Sequence, residues 1–232
     1  MVFSSLPFLF LFLTVVLLVS HILPFRFRNF FLLLANLVFY AYGEPVYVLI
    51  MIGSILVNFF AGLLMDKQST QGRRRAVLVV GIVLNLAALG VFKYAGLFVS
   101  TLREIPGLSS LPEVDIALPI GISFYTFQAV SYLIDVYWDD CAASHNLINF
   151  ASYISLFPQL IAGPIVRYKD VNEQLVSRRE TPTLFNSGVR LFVVGLAKKV
   201  LLANQFGMLW DAMSADPVAA GALGAWAGAC AY

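Results

Sequence analysis

Long runs of mainly apolar residues constrain this chain more than any other feature of its sequence. Such runs cover 6–23, 46–65, 76–100 and 184–209, and a helix needs about 20 residues to cross a hydrocarbon core of about 30 Å. Of the 232 residues, 60% are hydrophobic and 12% are charged, against about 25% charged in a soluble domain. The sequence therefore predicts an integral membrane protein and argues against soluble enzymes and nucleic-acid-binding domains.

The remaining apolar runs are short, broken by proline, or reach the end of the sequence: 29–42, 116–137, 147–166 and 217–232. The run 29–42 is predicted to be too short to cross upright. The expected fold class is all-α: a polytopic bundle of transmembrane helices with at least one re-entrant or broken segment. We expect 1–232 to be the N-terminal part of a single membrane-embedded domain, because the last apolar run has no polar tail.

Basic residues indicate which loops lie in the cytoplasm, since short loops rich in Lys and Arg stay on that side. The loops 24–28 and 66–75 are both basic, and two crossings between them would leave them on one side. This arrangement predicts an N-terminus outside the cell and a loop 101–115 that is also outside.

The loop 167–180 breaks this pattern. It carries Arg167, Lys169, Arg178 and Arg179, yet it would lie outside if 116–137 and 147–166 both crossed. Either the charge rule fails here or one of these proline-bearing segments is re-entrant. Non-helical backbone at membrane depth is tolerated only when it is buried in protein or lines a water-filled cavity. We therefore expect a re-entrant segment that lines a cavity.

Three segments carry a family resemblance: Leu-Pro-Ile-Gly-Ile-Ser-Phe-Tyr-Thr-Phe-Gln at 118–128, Phe-Pro-Gln-Leu-Ile-Ala-Gly-Pro-Ile-Val-Arg at 157–167, and the run 190–200 with Gly-Leu-Ala-Lys-Lys-Val. They resemble signatures of the membrane-bound O-acyltransferase family, in the branch that O-acetylates alginate in bacteria. The second signature is the most specific. The branch that D-alanylates teichoic acids fits less well at the first one.

The resemblance implies an enzyme of the bacterial inner membrane, so the N-terminus that the basic loops place outside would be periplasmic. It implies transfer of acetyl from a cytoplasmic donor, acetyl-CoA or another acetyl carrier, towards hydroxyls of an exported polysaccharide such as alginate. The lipid bilayer and periplasmic acetylation proteins are the expected partners, with no nucleic acid, no metal and no tightly bound cofactor. The family histidine is expected beyond Tyr232, because neither His21 nor His145 sits in a matching motif. Asn204 stands where the branch usually has Asp, which puts an ionic role there in doubt.

Acyl transfer to a hydroxyl needs a general base, hydrogen-bond donors for the oxyanion and a path for both substrates. Polar groups inside apolar runs are costly and usually face a cavity or a partner. The substrate-path candidates are Ser123, Tyr125, Gln128, Asp135, Gln159, Gly163, Pro164, Arg167, Arg190 and Lys198. A helix over 184–209 would place Asn186, Arg190, Lys198 and Asn204 within an arc of roughly 120°, as a cationic stripe.

Each candidate also has a purely structural interpretation. The polar residues of 116–137 could only join helices within the bundle, and Arg167 with Lys169 could anchor a cytoplasmic loop. Arg190 and Lys198 could reach lipid headgroups from an interfacial helix. Two other functions also stay open: a transporter, which would use broken helices at its site, and a scaffold subunit of a polysaccharide export complex.

Overall fold

The computed structural model describes residues 3–105, 112, 116–160, 163–178, 180–215 and 217–231. Within these residues the chain is all helix and turn, with no strand, and the all-α prediction is confirmed. The helices are α1 (Pro7–Ile22), α2 (Phe25–Gly43), α3 (Val48–Asp66), α4 (Gln71–Arg103), α5 (Ile122–Tyr137), α6 (Leu147–Ser155), α7 (Phe157–Leu160), α8 (Tyr168–Val176), α9 (Pro182–Lys198), α10 (Asn204–Ala215) and α11 (Pro217–Ala231). A π-helical segment, Lys199–Ala203, joins α9 to α10.

Three of the described helices are long and apolar enough to cross a membrane: Val48–Asp66, Gln71–Arg103 and the continuous helix Pro182–Ala215. In a bilayer every backbone N–H and C=O must find its partner inside the protein, which is why such runs fold as helices. The prediction of a polytopic membrane protein is confirmed.

Helix α2 extends beyond the apolar run 29–42. It has 19 residues and is about 28 Å long, but it is not one of the three described helices that are apolar enough to cross a membrane, in agreement with the prediction that this run does not cross upright. The helix is longer than the run because Phe25, Arg26, Phe27 and Arg28 form its first turn, so the basic residues of the 24–28 loop belong to the helix. Charged side chains at a helix end can extend to the headgroup region.

The chain divides into two compact units, one of residues 15–178 and one of residues 2–14 with 179–232. The division falls inside α1. The first unit contains the buried core, which is formed mainly by α3, α5 and α6. The second unit contains α9, α10 and α11, and every side chain described in α9 and α10 is at least partly exposed.

Helices α3 and α4 form an antiparallel hairpin held by a buried pair of amides. Asn58 Nδ2 donates to Asn85 Oδ1 at 3.1 Å, and Asn85 Nδ2 donates to Asn58 Oδ1 at 2.7 Å. Each amide also donates to a carbonyl of its own helix, that of Ser54 or of Gly81. Both residues are at most 5% exposed, so this pair fixes the register of the two helices.

Replacing Asn85 with leucine should leave the Asn58 amide buried without its partner. We expect a loss of about 1–2 kcal/mol in unfolding free energy, read as a lower melting temperature of the full-length protein in nanodiscs. Adding Asn58→Leu should recover much of the loss, because no polar group is then left unpaired. The exposed Asn204→Leu is the matched control, and a single Asn85→Leu variant as stable as the control would contradict this account.

Helix α5 packs closely against the α3–α4 hairpin. Gly62 faces the ring and hydroxyl of Tyr132, and a Cβ at Gly81 would lie 2.7 Å from Leu133 Cδ1. Side chains at these two positions would push the helices apart. The missing Cβ atoms therefore allow the polar face of α5 to lie inside the unit rather than towards lipid.

Charged contacts join the end of α3, the start of α4, the turn after α5 and the start of α8. We call this region the polar end of the first unit. Arg74 at the start of α4 pairs with Asp139 after α5 at 2.6 Å. His145 Nε2 lies 3.5 Å from Asp66 Oδ2 at the end of α3. Lys169 of α8 lies 3.4 Å from Asp140. The basic loops 66–75 and 167–178 therefore meet at the same end.

The segment 147–166, described except at residues 161 and 162, leaves the polar end and returns to it, and we call it the re-entrant segment. Helix α6 has nine residues and is about 13 Å long, far short of a crossing. It starts beside Asn29 near the start of α2 and leads to Phe157, which contacts Asn36 further along α2. The chain then returns to Lys169 at the polar end. This path explains the basic residues of 167–178 without breaking the charge rule; Arg179 lies outside the described residues.

Candidate functional site

Polar side chains collect where α2, α5 and the re-entrant segment meet. We call Asn36, Tyr40, Tyr125, Gln128 and Gln159 the mid-depth cluster, and none of them is more than 9% exposed. Tyr40 lies 11 residues beyond Asn29 along α2, and Tyr125 lies 12 residues before Tyr137 along α5. At 1.5 Å per residue these separations are about 16 and 18 Å, roughly half of a 30 Å hydrocarbon core.

The break between α6 and α7 explains part of this cluster. An unbroken helix would join the Tyr153 carbonyl to the Phe157 amide four residues later. Instead, the Phe157 N–H donates to Asn36 Oδ1 at 3.3 Å. The Tyr153 carbonyl accepts from Gln128 Nε2 at 3.1 Å and from Gln159 Nε2 at 2.8 Å. Side chains of three elements thus satisfy the backbone groups that the break sets free.

Two glycines permit close backbone packing here, Gly121 between the start of α5 and the re-entrant segment, and Gly163 within the return of that segment. Gly121 has φ 79°, in the left-handed region that favours glycine. A Cβ there would lie 2.7 Å from the Leu160 carbonyl oxygen, and a Cβ at Gly163 would lie 2.6 Å from Gln159 Cα. The candidates Ser123, half-buried, and Pro164, exposed, are on the same two segments.

At the polar end, a buried carboxylate lies under a half-exposed arginine. The Asp135 side chain is 1% exposed, and its Oδ1 is 3.9 Å from Nη1 of Arg167, which is 47% exposed. The second oxygen, Oδ2, is also buried and has no hydrogen-bond partner in the described part of the chain. The structure thus brings together two site candidates that are 32 positions apart.

Sequence reasoning missed the strongest ion pair of this region. Arg74 donates from Nη1 to Asp139 Oδ2 at 3.0 Å and from Nη2 to Asp139 Oδ1 at 2.6 Å, and it also reaches the Val136 carbonyl. The hydrogen bonds from Arg74 lower the pKa of Asp139. The sequence showed a basic loop and an acidic turn, but it gave no sign that they meet.

Asn29 was also missed, although it joins three elements. Its Nδ2 donates to Asn149 Oδ1 at 2.8 Å and to the Leu175 carbonyl at 2.7 Å, and its Oδ1 accepts from Arg178 Nη2 at 2.7 Å. Ser152 Oγ donates to the Asn29 carbonyl. A lone Asn at the start of an apolar run was the only available signal.

Cys141 allows a pH test of the polar end. Burial raises the pKa of its thiol to about 11, with a further contribution from the carboxylates of Asp135 and Asp140. Because the thiolate is the reactive form, alkylation in a Cys230→Ala background should accelerate about tenfold per pH unit from pH 8 to pH 10. Reaction rates with a water-soluble maleimide would measure this, against a small thiol as the control. A plateau near pH 9 would contradict the buried placement.

The remaining candidates lie in the second unit. Arg190 and Lys198 are exposed on α9. The predicted stripe needs a correction at Asn204, because the π-helical segment Lys199–Ala203 interrupts the α-helical register. Bonds of the i→i+5 type place more residues in each turn. A constant 100° per residue therefore holds for Asn186, Arg190 and Lys198 but not for Asn204.

Comparison with known proteins gives one family and several relatives. Residues 139–212 match the model of the membrane-bound O-acyltransferase family. The chain is 42% identical, over its whole length, to the probable alginate O-acetylase AlgI of Pseudomonas aeruginosa and covers 45% of that protein. It is 31% identical to the peptidoglycan O-acetyltransferase of Helicobacter pylori, over 77% of this chain and 39% of the relative.

A teichoic acid D-alanyltransferase of Streptococcus thermophilus is 31% identical over a shorter stretch, 45% of this chain and 26% of the relative. The chain thus spans less than half the length of these curated relatives. No solved structure matches it significantly.

Proposed function

The chain belongs to the membrane-bound O-acyltransferase family, and from this premise we propose that the whole protein is an acetyltransferase acting on an exported polysaccharide. The observation that carries the proposal is the similarity over the entire chain to relatives named as alginate O-acetylases. Alginate, or another polysaccharide with free hydroxyls, is the proposed acceptor. The proposed donor is acetyl-CoA or another acetyl carrier on the cytoplasmic side.

The re-entrant segment supports a substrate path inside the first unit. Intramembrane polar groups are costly and usually serve a cavity or a pathway. We place the path along Ser123, Tyr125, Gln128 and Asp135 of α5 and along Gln159, Gly163, Pro164 and Arg167 of the re-entrant segment. Arg190 and Lys198 are proposed to attract an anionic carrier or a carboxylated sugar. The acetyl group then travels from the polar end towards mid-depth.

We propose that the protein lies in the bacterial inner membrane with its polar end in the cytoplasm and its N-terminus in the periplasm. The basic residues of that end, in 24–28, 66–75 and 167–178, favour this orientation. Single cysteines at Gln68 and at Ser5, in a background without Cys141 and Cys230, test it. An impermeant maleimide applied to spheroplasts should label Ser5→Cys and spare Gln68→Cys, and the reverse pattern would overturn the orientation.

The proposed activity is tested with the full-length protein in proteoliposomes. With [¹⁴C-acetyl]-CoA and alginate, an acetyltransferase should place alkali-labile label on the polysaccharide, and protein-free liposomes should not. Periplasmic extract, added in a parallel reaction, distinguishes direct transfer from transfer completed by periplasmic acetylation proteins. Label taken up into the vesicles without ester formation would instead indicate a transporter. If neither ester formation nor uptake is detected, the role of a scaffold subunit remains.

A further inference from the structure

A groove in the second unit combines an apolar lining with a single positive charge. It is lined by Phe3, Phe192, Gly195, Leu196 and Lys199 and has a volume of about 240 Å³. All five residues belong to the second unit. Four of them follow one another at i, i+3, i+4 and i+7 in the sequence, so they share one face of α9 and of the turn that continues it. Phe3, from the segment before α1, supplies the rest of the lining.

The charge of Lys199 lies far from both ends of its helix. The residue is 17 positions after Pro182 and 16 positions before Ala215 in the continuous helix, which is about 25 Å from either end. An ammonium group inside an apolar span is costly and usually faces a partner or a pathway. Within the described ranges, Lys199 takes part in no salt bridge. Its counter-charge is therefore expected from a molecule that binds at the groove.

The lining selects an occupant that has an apolar part and one anionic group. The side chains of Phe3, Phe192 and Leu196 form no hydrogen bonds with sugar hydroxyls, and the Lys199 ammonium only donates. A sugar would leave most of its hydroxyls unpaired at such a surface, which is costly, and a free phosphate would make no use of the apolar walls. The volume is smaller than the roughly 300–1,000 Å³ of pockets that enclose a whole ligand, so the groove holds only part of a molecule.

We propose that the groove binds an anionic phospholipid, with one acyl chain against Phe3, Phe192 and Leu196 and the phosphate at Lys199. Basic residues between membrane helices recognise anionic headgroups in this way. A zwitterionic headgroup fits less well, because it carries its own ammonium group beside the phosphate. The proposal goes beyond acetyl transfer and does not depend on it. It gives Lys199 a role separate from that of Arg190 and Lys198, which do not line the groove.

Lipid binding to the full-length protein in detergent tests the charged part of the site. Native mass spectrometry and the melting temperature should both show tighter binding of dioleoyl-phosphatidylglycerol than of dioleoyl-phosphatidylcholine. Lys199→Gln should weaken the binding of phosphatidylglycerol about fivefold, the effect of one cation at an anionic headgroup, and leave phosphatidylcholine nearly unchanged. Lys199→Arg should keep the preference. Lys198→Gln is the matched control, because it removes the neighbouring positive charge without changing the groove.

Gly195→Leu tests the apolar part. No heavy atom lies within 4 Å of a Cβ added at Gly195, so the new side chain fills the groove without displacing the protein. It should weaken the binding of both lipids to a similar extent. Gly207→Leu is the matched control, since it lies in the same continuous helix, has equal space around its Cβ and does not line the groove.

Several results would overturn the proposal. One is a wild type that binds neither lipid, which would mean that another segment of protein fills the groove, and another is a wild type without a preference for phosphatidylglycerol. Equal losses in Lys198→Gln and Lys199→Gln would show attraction by charge density alone. Unchanged lipid binding by Gly195→Leu would count equally against it, as would competition by glycerol 3-phosphate at the concentration of the lipid, because the acyl chain would then contribute nothing.

Discussion

Replacing Gly121 with alanine is expected to destabilise the full-length protein by about 3 kcal/mol or more and to abolish acetyl transfer. Its φ of 79° costs an L-residue about 1–2 kcal/mol. The added Cβ would also lie 2.7 Å from the Leu160 carbonyl oxygen, a backbone atom that cannot rotate away. Either the start of α5 or the return of the re-entrant segment must then shift. The melting temperature in nanodiscs and ester formation on alginate measure the two effects.

Gly163→Leu should disturb the return of the re-entrant segment itself, because a Cβ there would lie 2.6 Å from Gln159 Cα. Gly53→Ala is the matched control, since nothing lies within 4 Å of its added Cβ in the middle of α3; we expect it to be neutral or to gain up to about 1 kcal/mol. A well-expressed Gly163→Leu or Gly121→Ala protein with full transfer would count heavily against placing these segments at the site.

Arg167→Ala is expected to produce the second large effect. It leaves the Asp135 carboxylate buried without its nearby positive charge, and an uncompensated buried charge is strongly destabilising. Because Arg167 is 47% exposed and 3.9 Å away, solvent screens part of the interaction, and we expect a loss of about 1–3 kcal/mol. Transfer should fall as the return of the re-entrant segment loosens.

Rescue separates this charge effect from a general loss of contacts. Asp135→Asn added to Arg167→Ala should recover most of the melting temperature, because no charge is then buried. Arg75→Ala, which removes an exposed arginine from α4, should change little. The account is contradicted if the Arg167→Ala protein has the same melting temperature as Arg75→Ala, or if adding Asp135→Asn does not raise it. In either case the stability of the protein does not depend on the interaction of Asp135 with Arg167.

The membrane class and most helix positions could be predicted from the sequence because they depend on local composition. A run of apolar residues in a bilayer has few alternatives to a helix, and α3, α4 and the helix Pro182–Ala215 fall where the runs predicted them. The charge of 167–180 also led to the expectation of a re-entrant segment, and the structure shows that 147–160 is broken into α6 and α7. Helix α2 begins at Phe25, before the apolar run 29–42, because its basic first turn continues the helix into the 24–28 loop.

The candidate site was only partly predictable. Tyr125, Gln128 and Gln159 stood out as polar residues in apolar or proline-broken segments, and the structure places Gln128 and Gln159 on one carbonyl. Asn36 and Tyr40 were not singled out, since two polar residues in an amphipathic stretch are unremarkable by spacing alone. The π-helical segment before Asn204 was equally invisible, because α-helix and π-helix differ by a small change in backbone hydrogen bonding.

The sequence by itself determined that this chain is a helical membrane protein, which segments are broken, and where its positive charges accumulate. Each of these properties follows from residues that are neighbours in the sequence and from the low solubility of charge in hydrocarbon. Only the tertiary structure decided which polar groups meet. The pairing of Asp135 with Arg167, of Arg74 with Asp139, and of Asn36 with Phe157 joins residues 32, 65 and 121 positions apart. Such pairings depend on how helices pack against each other. The periodicity of a sequence shows which residues share a helix face, but it does not show which other element that face will contact.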